Sequence, residues 1–126
     1  MFGIGKKRDR EIQAALDELR QADTVAFGGV GIAGTVLPVT EAYRRVEAAL
    51  AEDPEGVRGE LDRLLTEATP AGRVYAATLI EGVDPAAGRA AWTALGGDPA
   101  EFGTFTGCVM GRTTLREYAT DHLSRG

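Results

Sequence analysis

Few residues in this chain are of a type that does chemistry. One thiol, Cys108, sits in the run Gly107-Cys108-Val109-Met110-Gly111, and one imidazole, His122, follows on the next segment. A thiol that gives its proton to an imidazole base and attacks as the thiolate is the chemistry such a pair performs. The base also needs a third group to orient it, and the chain contains no asparagine. The competing structural roles are simpler: an isolated cysteine packs as a small apolar residue, and His122 falls on the inward stripe of its helix. No catalytic residue is assigned, and a small enzyme using Cys108 stands as an alternative. A single Cys and a single His supply neither a disulfide framework nor a zinc site built from those residues alone. No metal or cofactor is expected.

Gly29-Val30-Gly31-Ile32-Ala33-Gly34 matches G-x-G-x-x-G letter for letter. Backbone amides at a helix start can cradle a phosphate, but that fingerprint needs a strand before it and a helix opening within it. Here the chain runs on to Pro38 before a helix can start, and no Lys-Ser or Lys-Thr pair follows. The glycines read instead as an uncharged backbone turning tightly against its neighbours. Arg73 is one of two charges, with Glu81, on an otherwise apolar stretch. A guanidinium enclosed there needs a carboxylate, carbonyl groups or a ligand. The many carboxylates lie among basic residues at helical spacing and read as solvated charge.

These residues must be held by helices. Ile12, Ala15, Leu16 and Leu19 recur at three- and four-residue steps over residues 6–22, the amphipathic helical period. Thr40 can cap a second helix carrying Val39, Tyr43, Val46 and Leu50 on one face, ending near Asp53-Pro54. Val57, Leu61, Leu64, Leu65 and Ala68 mark a third. Thr69-Pro70 opens a fourth, because a capping side chain followed by proline satisfies one orphan amide and presets the backbone angle. Its apolar residues cover most of the circumference, so it is expected to be the central helix. Asp84-Pro85 starts a fifth that ends at Gly96-Gly97. Asp98-Pro99 restarts the chain but runs into a segment too glycine-rich to stay helical. Thr114 with Glu117 forms a capping box for a last helix through Leu115, Tyr118, Ala119, His122 and Leu123.

The acceptor-proline starts at 53–54, 69–70, 84–85 and 98–99 are spaced for about three turns of helix and a tight reversal. The fold class expected is all-α: one domain, residues 1–126, a compact bundle of five to six antiparallel helices with repeat-like, HEAT-like hairpin geometry and two glycine-rich irregular segments.

Three blocks, Ala26-Phe27-Gly28-Gly29-Val30-Gly31-Ile32-Ala33-Gly34, then Ala68-Thr69-Pro70-Ala71-Gly72-Arg73-Val74-Tyr75-Ala76, then Gly107-Cys108, run in that order through most of the chain. Together they resemble a pattern found in small uncharacterised bacterial helical proteins. The resemblance implies a helical fold and carries no activity, cofactor or catalytic residue.

At 126 residues the chain has room for one core, and its aromatic content is only 6%. Its net charge of −5 argues against binding nucleic acid through the phosphate backbone. The apolar residues at the N-terminus precede Lys6, Lys7, Arg8 and Arg10 rather than follow them, so no cleavable secretory signal is expected. Phe2 and Ile4 beside those lysines could touch an anionic membrane weakly, although an ordinary helix start is the expectation. The uncharged run from Thr24 to Thr40 contains Gly28, Gly29, Gly31, Gly34 and Pro38, and a spanning helix wants about 20 apolar residues. No membrane span is expected, and a lone thiol fits the cytoplasm.

Function is expected to lie in protein binding without catalysis. The uncharged segments 24–39 and 102–112 should meet at one side of the domain and expose an apolar patch to a partner protein. The candidate binding residues are Phe27, Gly28, Gly29, Ile32, Arg73, Thr104, Phe105, Cys108 and Arg112. The alternative is a small acidic immunity or inhibitor protein, because residues 47–67 carry seven acids against two arginines and could meet a basic toxin domain.

Overall fold

The computed structural model describes residues 6–31 and 33–125, with side chains from Arg8 onward. The readings made on Phe2, Ile4 and Ile32, and on the side chains of Lys6 and Lys7, lie outside the described residues. Six helices are present among them: α1 (Lys6–Arg20), α2 (Pro38–Glu52), α3 (Pro54–Glu67), α4 (Pro70–Val83), α5 (Pro85–Leu95) and α6 (Leu115–Arg125). Among the described residues no helix is long and apolar enough to cross a membrane.

The starts of these helices follow from local chemistry. Asp53 accepts a hydrogen bond from the Gly56 amide at 3.2 Å, Thr69 from Gly72 at 3.2 Å and Asp84 from Ala87 at 3.1 Å, each with proline in the first helical turn. Each cap satisfies one of the amides that a helix start leaves without a partner. Thr114 likewise accepts from Glu117 N at 3.1 Å and opens α6.

Two expected starts are corrected. Thr40 does not cap α2, which begins at Pro38 after Leu37. Its side chain is fully buried and donates to Ala26 O at 2.7 Å instead. Asp98-Pro99 opens no helix: Asp98 Oδ1 accepts from Ala100 N at 2.9 Å, and the chain continues as a strand.

The fold is therefore mostly helical but not all-α. Segment 102–112, expected to be irregular, belongs to a hairpin of β2 (Glu101–Thr106) and β3 (Val109–Thr114), and β1 (Thr24–Val25) adds to it in parallel. The strand order is β1-β2-β3. Alternation of Phe, Thr and Gly along β2, with a two-residue connection, is hairpin chemistry that a high glycine count obscures. Gly107 has φ of 58° while Cys108, like every other described non-glycine residue, does not have a positive φ, the sign pattern of a type II′ turn with glycine in its first central position.

The core forms around α4, which contacts α1, α3, α5, β1 and β2. Val74, Tyr75, Ala76 and Ala77 on it are fully buried, as expected for the innermost helix. Consecutive helices along the chain pack against one another from α1 to α5, and α5 packs on α6. Trp92 of α5 closes the far side of the core, stacked on His122 at 4.2 Å and on Tyr118 at 5.8 Å between ring centroids.

Candidate functional site

The two uncharged segments meet. Thr24 and Val25 pair with Gly103 and Thr104, and further along Gly31 N donates to Gly107 O at 2.6 Å. Between these two points of contact the chain at 27–29 stands away from the hairpin, and a cleft of about 360 Å³ opens. One wall is Val25, Phe27, Gly28 and Gly29, the other is the β2 end from Thr104 to Gly107, and Tyr118 of α6 contributes as well.

Buried hydrogen bonds fix the first wall. The Ala26 amide donates to the Tyr75 hydroxyl at 2.7 Å, and that hydroxyl donates back to Ala26 O at 3.0 Å, where Thr40 Oγ1 also donates. Helices α2 and α4 thus hold both backbone polar groups of Ala26. Phe27 is carried out beyond this anchor and packs edge-on against Tyr43 at 5.0 Å and Tyr75 at 5.3 Å, while remaining 37% exposed.

The cleft has no ionised lining residue. Burial pushes the Tyr118 phenol above its ordinary value, and burial pushes Tyr75 behind the wall up to about 12. Both remain neutral at physiological pH, so what the cleft offers is apolar surface, hydroxyls and peptide groups. Such a lining suits an uncharged segment of polypeptide better than an anion or a metal. Among the described residues no group of three or more His, Cys, Asp or Glu side chains could hold a metal ion.

The hairpin continues this surface outward. Thr106 and Val109 flank the two-residue turn, so by antiparallel alternation the backbone N–H and C=O groups of Met110 and Arg112 point away from β2. No strand lies on that side among the described residues. Val109 and Met110 are 70% and 73% exposed. With Phe27 they make three of the four large apolar side chains that stand exposed among the described residues, which concentrates uncovered apolar surface at this end.

Of the residues expected to bind, Phe27, Gly28, Gly29, Thr104 and Phe105 line the cleft. Cys108 is exposed at the hairpin turn, and Arg112 lies on β3 with its guanidinium 3.5 Å from Glu101. Arg73 lies away from the cleft and its donors are engaged internally, by Asp98 Oδ2 at 3.1 Å, Ala68 O at 2.9 Å and Thr66 O at 3.4 Å. His122 lines a different cleft, of about 300 Å³, where its Nε2 is 2.8 Å from Glu81 Oε1. Val25, Thr106 and Gly107, within the two segments expected to meet, also line the cleft, and Tyr118 joins them from outside those segments. The alternation along β2 was the available signal for Thr106, and the inward stripe of α6 for Tyr118.

Comparison of the chain with protein-family models, with curated proteins and with solved structures gives no match. The functional reading therefore rests on the geometry of this chain.

Proposed function

We propose that the protein is a non-catalytic, cytoplasmic protein–protein interaction module, and that it takes an extended segment of its partner along β3 and over the adjoining cleft. The observation that carries this reading is the unpaired backbone edge of β3, on which Val109 and Met110 stand exposed. An open edge offers hydrogen bonds to any extended chain, and alternate side chains of that chain would find the neutral cleft.

Two variants test it. Val109→Asp with Met110→Lys removes the apolar tip, and Arg112→Pro removes one outward donor while sparing the bonds to β2. Cross-linking in lysate through a photoactivatable group attached to the exposed Cys108, at low and high salt, should give a discrete, salt-resistant adduct that both variants lose. Adduct formation that both variants retain, with helical circular dichroism intact, refutes the reading.

A further inference from the structure

A cavity of about 460 Å³ lies away from the hairpin, in the seam where the first half of α1 crosses the junction of α2 and α3. Its floor is apolar, with Ile12 and Leu16 one helical turn apart on α1 and Val57 of α3 opposite. Its rim is acidic: Asp9 on one side, and Glu52, Asp53 and Glu60 on the other. One cation crosses the opening, because the Arg8 guanidinium reaches from α1 to the Glu52 carboxylate.

The α2–α3 side of this seam is acidic, facing the basic start of α1, where Lys6, Lys7, Arg8 and Arg10 stand against Asp9. Residues 47–67 carry a net −5, equal to that of the whole chain, so the remaining segments sum to zero. Arg58 and Arg63 on α3 are already engaged, with Asp62 and Asp84 and with Glu60 respectively. Glu47, Glu55 and Glu67 have no ion-pair partner among the described residues. Cationic partners are therefore drawn toward this face from a distance.

We propose that the seam is a docking groove for a basic amphipathic helix of a partner protein, with Arg8 holding the place of that helix's leading cation in the free state. Apolar side chains at three- and four-residue spacing lie over Ile12, Leu16 and Val57, and flanking Lys or Arg side chains reach the acidic rim. Arg8 and Glu52 are 54% and 58% exposed, and an ion pair so open to water is weak. Its exchange for an incoming cation is close to balanced; Leu16 and Val57 are already buried, so the net drive is cover for the part-exposed Ile12 together with attraction by the acids that have no ion-pair partner among the described residues. This inference is independent of the hairpin face and extends to the acidic-inhibitor reading of residues 47–67.

The test uses the full chain and two labelled peptides of identical composition, about five turns long when helical. In one, Leu recurs at helical spacing among Lys; in the other, the same residues are ordered so that no apolar face forms. Fluorescence anisotropy should show the patterned peptide binding at least about tenfold more tightly than its isomer. Arg8→Ala should raise the affinity severalfold more than Arg10→Ala, which removes the same charge outside the groove. Glu52→Gln should weaken binding more than Glu67→Gln. Equal binding of the two peptides, no binding of either, or equal effects of the Arg8 and Arg10 substitutions overturns the proposal.

Discussion

The Tyr75 hydroxyl and the backbone of Ala26 satisfy each other: Ala26 N donates to the hydroxyl at 2.7 Å and the hydroxyl donates to Ala26 O at 3.0 Å. Residues 49 positions apart are thereby tied, and the chain entering the cleft is anchored to the innermost helix. Tyr75 is fully buried, so neither partner has water to fall back on. Tyr75→Phe should therefore cost about 1–3 kcal/mol, the penalty for leaving a buried amide unpaired. Thr40→Val should cost less, about 1 kcal/mol, because Ala26 O keeps the Tyr75 donor. Urea unfolding measures both, and amide exchange at Ala26 should accelerate selectively in Tyr75→Phe.

The same burial sets an alkaline limit to stability. In the folded chain Tyr75 titrates at about 12, against 10.0 for its ordinary value, with burial as the leading cause. Between those values the unfolded chain has released the phenolic proton and the folded chain has not. Stability from this group is full below pH 10 and falls as pH rises toward 12, by about 3 kcal/mol in total. Tyr43 and Tyr118 are also raised by burial and act in the same direction. Urea midpoints measured across this range should fall steeply for the native chain and less steeply for Tyr75→Phe.

Two glycines in helices should respond oppositely to alanine. A Cβ at Gly72 would lie 2.3 Å from Leu19 O and 2.8 Å from Ala68 Cβ, so α1 and α4 approach there at a distance only glycine permits. Gly72→Ala should destabilise by about 2 kcal/mol even after the gain in helix propensity. Gly59 on α3 has nothing within 4 Å of the same position, and Gly59→Ala should stabilise by about 0.5–1 kcal/mol. Thermal melts of the two variants should move in opposite directions.

Local chemistry made the helices legible and left the sheet hidden. Asp53, Thr69 and Asp84 each cap a helix that proline opens, and the scarcity of charge on α4 marked it as innermost. The same dipeptide at Asp98-Pro99 misled, because the carboxylate there is used by Ala100 N and by Arg73 and no helical apolar period follows. Glycine-rich β2 and β3 looked irregular because glycine is unfavourable in strands in general. Nothing near Thr24 signals its pairing with Gly103, since that contact exists only after α4 has brought the two together. The cleft walls at 27–29 and 104–105 could be nominated from their lack of charge and their uncovered aromatics, whereas Tyr118 enters only through the packing of α6.

Arg73 separates a structural cation from a ligand-binding one. Its guanidinium joins three elements: the end of α3 through Thr66 O, the α3–α4 connection through Ala68 O, and the α5–β2 connection through Asp98. The side chain is about one-quarter exposed, 27%, so the pair with Asp98 is better shielded than those on the surface of α3. Arg73→Ala should cost about 1–3 kcal/mol, since carbonyl and carboxylate acceptors lose a shared donor. Arg73→Lys should restore less than half of that, because a single ammonium cannot span three acceptors as a planar fork does. Asp98→Ala should lose about the same as Arg73→Ala, and the double variant should lose less than the sum. An arginine held ready for a ligand would behave otherwise, with unfolding free energy unchanged in Arg73→Ala and no coupling to Asp98 in the double-mutant cycle.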